Sequence, residues 1–500
     1  MIIEIISPIR ALIKNPTDNE LNSLKDQFKY KNTSVEFLLK KHRERWHWKQ
    51  NNYETWSELE TKYLRDLEDS VVKFDGKDAY IRPGSISYIE GLDFEVKNNI
   101  VYPEFKSLQW HKELEFKSHD YQDISVKELL KIKHGNISLP TGAGKTLVLL
   151  LLAQKSGLDC VIVTPSQVIF NELLEFFTYH LGSKLVGGYG DGKKDIKKKV
   201  TIAIGKSLTM LKEGTEAYNF FKNKQMIGID ESHTFSSDQL ENVCHGALSN
   251  IPYRFFVSAT QTRGDGEIIL LQSIIGKTVF EMSIEEAIKK GYLCPLKFGV
   301  IKTFSPSTLV EKDPLECKRT HFLYNKNITD IAAKIANASF YVNGESTLIL
   351  VEELVQIKML VDRLTVPFGY AHAGSTKDAK AAGLKVVDVS EEVERFNRGE
   401  TKVLIGTRTI STGTNIFPTF NTINWVGGGS EILTKQGTMG RSTRKLENSK
   451  YKHLHKPKPY SKIWDFEVEG QPILNSQLKK RIKFYEETGE KVTRIDNGKK

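Results

Sequence analysis

No two of the four cysteines are close in sequence: Cys160, Cys244, Cys294 and Cys317 form no CxxC pair. A zinc cluster is therefore not expected, and scattered single cysteines fit a reducing compartment. The longest apolar run, near Leu147–Ala153, is far short of the ~20 residues that a membrane helix needs. The N-terminus, Met1-Ile2-Ile3-Glu4-Ile5-Ile6, lacks the positive start and cleavage site of a signal peptide. A cytoplasmic location without a membrane partner is expected. No internal repeat recurs at a solenoid period. Acidic excess is also missing: Lys and Arg number 72 against 62 Asp and Glu, a net charge of +10. That balance suits a polyanionic partner such as nucleic acid, although many soluble proteins have basic surfaces.

What is present is a globular composition, 39% hydrophobic and 27% charged over 500 residues. At roughly 100–200 residues per domain this length suggests about three domains. Residues 1–105 mix helical spacing (Val35–Lys49, Thr55–Phe74) with strand-like runs (Asp78–Arg82, Ile100–Tyr102) and a turn at Asp75-Gly76. A small α+β domain is expected there. From about Asp120, short apolar runs alternate with helical segments: Gly135–Leu139, Cys160–Thr164, Val200–Ile204, Met226–Ile229 and Tyr253–Val257. A second series follows at Thr347–Val351, Phe368–Ala371, Val403–Ile405 and Thr422–Val426. Continuous apolar runs separated by helices imply buried parallel strands. The expected boundaries are 1–105, 106–293, 294–470 and a basic tail at 471–500.

Two segments carry phosphate chemistry. Asn136-Ile137-Ser138-Leu139 leads into Pro140-Thr141-Gly142-Ala143-Gly144-Lys145-Thr146 and an apolar helix. This is the strand, glycine loop and helix that a P-loop requires, with backbone N–H groups around phosphate oxygens. Lys145 would reach the β and γ phosphates of ATP, and Thr146 would help hold Mg²⁺. The general pattern has glycine where Leu139 stands. Downstream, the strand-like Met226-Ile227-Gly228-Ile229 delivers Asp230 and Glu231. Asp230 would coordinate Mg²⁺, and Glu231 could orient and deprotonate the attacking water. An exposed acidic pair at a strand end is the bland alternative.

Asp230-Glu231-Ser232-His233 is a DExH box, and with the P-loop the chain resembles a superfamily 2 helicase. That family often has the shorter loop seen here, so Leu139 counts less against it. The resemblance spans roughly residues 119–466 and implies an α/β fold: two tandem RecA-like parallel-sheet domains plus the small α+β N-terminal domain. It implies that Gln122 hydrogen-bonds adenine, with Tyr121 nearby, and that Thr141 to Thr146 cradle the phosphates. Thr164-Pro165 and Gly205-Lys206 resemble motifs that touch the nucleic-acid backbone. Ser258-Ala259-Thr260, together with His233, resembles the link between ATP site and DNA grip. Thr407 and Ser411-Thr412-Gly413-Thr414-Asn415 resemble motif V, with Asn415 where an acid is usual. Gln436-Gly437-Thr438-Met439-Gly440-Arg441-Ser442-Thr443-Arg444 resembles motif VI, usually QxxGRxxR, with the glutamine one residue early. Arg441 and Arg444 would meet the γ-phosphate, their forks matching its oxygens.

The layout is similar to phage branch-migration helicases of the UvsW type, and more distantly to RecG-like enzymes. The resemblance implies ATP and Mg²⁺ as cofactors, branched DNA as partner, a monomer, and host cytoplasm if the chain is of phage origin. An RNA helicase, a non-unwinding duplex translocase and an ATP-gated binding clamp stay open. Outside the motor core, Lys40–Lys49 interleaves cations with Trp46 and Trp48. Stacking on aromatics with Arg43 and Arg45 on phosphates would hold nucleic acid, but either tryptophan could equally pack a core. Lys193–Lys199 and Lys479–Lys483 are basic runs whose bland reading is a solvated loop and tail; for the second, a helix lying on the second domain or along the DNA is the alternative. For a strand-separating wedge, the segment between Leu296 and Ser346 and the loop around His372-Ala373-Gly374 are candidates.

Overall fold

A computed structural model describes the chain except residues 46–48, 50–51, 77, 116, 260–267, 308–310, 312, 373–375, 408–409, 411–414, 432 and 497–500. It divides into two compact units, one made of 1–139 and 144–281, the other of 140–143 and 282–500. Helix Ile284–Lys289 lies in the second unit.

The first unit holds an eight-stranded sheet. Its order is Lys193–Lys194, Val186–Gly190, Val200–Ile204, Cys160–Thr164, Met226–Asp230, Tyr253–Ser258, His134–Ser138 and Thr278–Glu281. Every pairing is parallel except that of the short edge strand Lys193–Lys194. Cys160-Val161-Ile162-Val163 is buried at all four positions, as expected of strands covered on both faces. Helix Lys145–Ser156 is buried from Leu147 to Ala153, so it is apolar all round rather than amphipathic. It packs closely over strand Met226–Asp230 because Gly228 has no side chain: a Cβ there would lie 2.9 Å from Ile162 and 3.0 Å from Leu149.

The N-terminal α+β fold belongs to this first unit. Its five-stranded sheet has the order Lys73–Asp75, Asp78–Ile81, Arg10–Lys14, Ile2–Ser7, Glu95–Asn98. Ile3, Ile13, Leu24, Phe28 and Val72 fill its core, and Ile269 of helix Ile268–Ile275 packs against it. Gly84 lies so near that helix that a Cβ would stand 2.3 Å from the Ser273 carbonyl oxygen. Arg82 donates to Ser273 Oγ at 3.0 Å and to Glu241 Oε1 at 2.5 Å. Burial opposes ionisation of Glu241, but the His245 hydrogen bond and the Arg82 charge outweigh it and hold the carboxyl down at about 2. Besides Asp18–Gln27, the helices here among the described residues are Thr33–Glu44 and Tyr53–Asp66. The last ends well before Phe74, because Glu68–Ser70 pairs as a strand with Lys29–Lys31 and Lys73–Asp75 with Asp78–Ile81. The expected turn is a hairpin bend with Gly76 at φ +62°. Ile100–Tyr102 is not a strand; the pairing segment is Glu95–Asn98, beside Ile2–Ser7.

The second unit is a seven-stranded, wholly parallel sheet. The order is Phe368–Ala371, Val403–Gly406, Thr347–Val351, Asn421–Trp425, Ser461–Val468, Leu296–Thr303, Val492–Asp496. Leu296–Thr303 is therefore an interior strand, and Ile328, Ala332 and Ala336 of helix Lys326–Asn343 are core residues. These parts of the 296–346 segment do not project as a wedge. His372 is buried, and residues 373–375 lie outside the described residues. The C-terminal stretch expected as a tail is structural. Helix Pro472–Glu486 buries Arg481, whose guanidinium takes both Asp465 carboxylate oxygens at 2.7 and 2.8 Å. Strand Val492–Asp496 then pairs with Leu296–Thr303. The basic run supplies one buried ion-pair partner, Arg481, while Lys479, Lys480 and Lys483 are exposed.

Candidate functional site

The glycine loop leaves strand His134–Ser138 and enters helix Lys145–Ser156 with Gly142 at φ +91° and Gly144 at φ +75°. Both angles are left-handed and suit residues without Cβ. At Gly144 a Cβ would also stand 2.4 Å from Gln122 Nε2. The loop thus touches the amide expected to read adenine. Gln122 is buried, and its Oε1 accepts from His119 N–H at 2.9 Å, capping helix Asp120–Ile132. Tyr121 is buried too, stacked between His119 and Phe280 with ring centroids 5.5 and 6.4 Å away. It packs the core beside the site rather than offering an open ring face.

Strand Met226–Asp230 carries the acids to the same end of the sheet. Lys145 Nζ lies 3.0 Å from Glu231 Oε1. Asp230 is buried, and its Oδ1 accepts from Glu231 N–H at 3.0 Å. Burial and the neighbouring Glu231 charge push the Asp230 carboxyl up to about 7. Glu231 itself sits at φ +47°, a conformation that costs a non-glycine residue free energy and clusters at functional sites. His233 Nδ1 lies 3.5 Å from Glu231 Oε2 and forms a 2.7 Å hydrogen bond with Ser258 Oγ. Ser258 ends the adjacent strand, and its carbonyl accepts from Leu139 N–H at the start of the glycine loop. Lys145, Glu231, His233 and Ser258 thus form one polar chain. Ala259 follows, and Thr260 lies outside the described residues. Thr146 is partly exposed at the first turn of the helix.

The expected nucleic-acid motifs sit at the carboxyl ends of neighbouring strands. Thr164 is buried, and its hydroxyl donates to Ser166 O at 2.9 Å. Its side chain is committed inward, and Pro165 beside it is partly exposed. Gly205 is buried under Phe235, and Lys206 is exposed. In the N-terminal fold, Arg43 is paired with Glu60 at 2.7 Å and Arg45 is exposed. Trp46 and Trp48 lie outside the described residues. Trp56, which the sequence reading passed over, is buried and stacks on His42 at 4.6 Å.

In the second unit, Leu433–Met439 winds as a π-helix directly ahead of Gly440 and Arg441. A π-turn accommodates one residue more than an α-turn. The family pattern spaces glutamine and arginine by four, but Gln436 and Arg441 are five apart. On a π-turn that spacing returns them to one face. Gln436 and Arg441 are both buried. The Arg444 guanidinium donates to Asn415 Oδ1 and lies 5.9 Å from the Phe417 ring, so Asn415 keeps a partner although it is not an acid. Thr407 is buried at the end of strand Val403–Gly406, and Gly413 lies outside the described residues. Lys458, missed in the sequence, donates to Phe417 O, Thr419 Oγ1 and Ser442 O at 3.0, 3.2 and 3.2 Å. It ties the arginine segment to the loop before strand Asn421–Trp425. Burial pushes its ammonium down to about 8. No signal marks it in the sequence, where it is one lysine in a run of Lys and Pro.

Residues 115–263 match the family model described as type III restriction enzyme, res subunit. Among curated proteins, the chain is 28% identical over 248 residues to the DNA 3'-5' translocase XPB2 of Sulfurisphaera tokodaii, covering 48% of this chain and 52% of that protein. It is 24% identical over 220 residues to the ATP-dependent DNA helicase uvsW of Enterobacteria phage T4, covering 41% and 43%. The chain therefore spans about half the length of these relatives. An S. cerevisiae Dbp5 variant bound to RNA and ADP BeF3 shares the fold, with TM-score 0.52 and 14% identity over 76% of this chain and 90% of that one. Two RecA-like sheets, a P-loop and a DExH acid pair joined to the following strand, with these relatives, make this chain similar to superfamily 2 helicases such as UvsW.

Proposed function

We propose that this chain is an ATP-driven DNA helicase or translocase that acts on branched DNA, such as forks and Holliday junctions, in recombination, repair or replication. The observation that carries the reading is the polar chain Lys145–Glu231–His233–Ser258, which links the glycine loop to a neighbouring strand end. The relatives' names, DNA translocase and DNA helicase, support DNA as the partner. Branched DNA rests on the similarity to UvsW.

In this reading Lys145 exchanges Glu231 for the phosphates when ATP enters. Glu231, released, accepts a proton from the water that attacks the γ-phosphorus as the bond to the ADP oxygen breaks. Lys145, Arg441 and Arg444 carry the negative charge that spreads over the transferred phosphoryl group. A divalent cation fits the acids present. Burial first, and then the neighbouring Glu231, hold the Asp230 carboxyl up, and a cation would offset both. Among the described residues no group of three or more His, Cys, Asp or Glu could hold a metal, so phosphate oxygens would complete its shell. Asp230 and Thr146 would hold Mg²⁺, whose contribution is to neutralise charge on the phosphates. His233 and Ser258 relay the state of Glu231 to the strand end beyond it.

Translocation without unwinding is the second reading, favoured by the relative named a translocase. ATPase assays with and without DNA, beside a Lys145→Ala control, test the proposal. Turnover that DNA does not stimulate would remove the motor reading and favour an ATP-gated clamp.

A further inference from the structure

The lysine run 193–199 spans two opposite edges of the first-unit sheet. Register shows this directly. Tyr189 pairs with Ala203, and Ala203 with Val163, so Gly190, Ile204 and Thr164 close one row at the carboxyl ends. Val186, Val200 and Cys160 open the row at the amino ends. The hairpin turns through Gly190, Asp191 and Gly192, all at positive φ, and places Lys193 and Lys194 at the carboxyl edge opposite Gly190 and Tyr189. The chain then runs back, so Lys199 lies at the amino edge, where Cys160 N–H donates to its carbonyl.

The two groups of lysines differ in partners. Lys197 is paired with Glu216 at 2.7 Å, Lys198 with Asp195 at 3.9 Å and Lys199 with Asp159 at 3.8 Å. Lys193 and Lys194 are exposed and form no ion pair among the described residues. Lys193 Nζ lies 5.8 Å from the Phe170 ring. Of the two acids flanking them in sequence, Asp195 faces Lys198, and Asp191 accepts from Gln167 Nε2 at 2.6 Å. That bond ties the hairpin tip to the helix following Thr164-Pro165. Exposed Lys206 lies on the short helix Gly205–Thr209, which follows the strand between, Val200–Ile204.

We propose that Lys193 and Lys194 are phosphate-contacting residues that extend the nucleic-acid track of the first unit, beyond Pro165 and Lys206, to the sheet's hairpin edge. The ligand is the sugar–phosphate backbone of a DNA strand, and the inference rests on the nucleic-acid reading above. Unpaired lysines in one row with the two motif loops supply counterion-releasing contacts. The paired lysines at the other edge do not.

Fluorescence anisotropy of the full chain with a fluorescein-labelled single-stranded DNA, and with its RNA counterpart, over a salt series tests this. For two lost phosphate contacts on a single strand, the slope of log affinity against log salt becomes shallower by about 1.4. That change is expected for the Lys193→Ala, Lys194→Ala pair. It is expected to be absent for Lys193→Arg, Lys194→Arg, which keeps the charge, and for Lys197→Ala, Lys198→Ala. A wild-type slope in the 193/194 alanine pair would overturn the inference alone, as would equal loss in the 197/198 pair. A change confined to RNA would overturn the choice of DNA. Wild-type chain that binds neither strand would overturn the function reading, and this one with it.

Discussion

Glu231 combines a left-handed backbone at φ +47° with an ion pair to Lys145, so its carboxylate is aimed by the chain rather than by rotamer choice. Replacing it by Gln keeps the shape and removes the base. ATP turnover should then fall by about 10²–10⁴-fold with ATP affinity largely kept, as single-turnover and binding assays would show. A fall confined to affinity would contradict the role. His233 and Ser258 share one hydrogen bond, so their alanine variants should not add: the double variant should lose DNA stimulation no more than either single one. Additive losses would separate them. These residues were legible in the sequence because phosphate chemistry fixes residue type and spacing. Lys458 was not, since its role comes from three carbonyl and hydroxyl oxygens brought together by the fold.

The π-turn at Leu433–Met439 explains why the glutamine of the arginine motif looked displaced. Sequence spacing assumes 3.6 residues per turn, and an inserted residue reads as a lost motif. Deleting Gly437 would leave Gln436-Thr438-Met439-Gly440-Arg441, the family spacing, on an α-turn. That deletion should keep ATPase within about tenfold of wild type, whereas Gln436→Ala should lose more. The reverse order would show that Gln436 has no part in the site. Strand positions within the two parallel sheets were legible because buried strands are continuously apolar. The edge strands Lys193–Lys194 and Val492–Asp496 were not, since they are exposed, polar and defined by pairing alone.

The N-terminal fold belongs to the same compact unit as the P-loop sheet, joined through Arg82, Gly84 and Ile269. Its α+β class was legible, but this attachment was not, because Arg82 finds Glu241 across 159 residues. Arg82→Ala should cost about 1–3 kcal/mol of stability at neutral pH by urea unfolding. Glu241 is held at about 2 against an ordinary 4.5. Its contribution is therefore complete above about pH 4.5 and lost as pH falls toward 2. The gap between wild type and variant should narrow over that window; a constant gap would mean packing, not charge, joins the parts. For the molecule as a motor, the decisive measurement is steady-state ATPase and unwinding on linear duplex, fork, Holliday junction and RNA duplex, with Lys145→Ala alongside. ATP turnover and strand separation on fork and junction, both abolished in the variant, are the expected result. Activity confined to RNA, or turnover without strand separation on any branched DNA, would contradict a branched-DNA helicase.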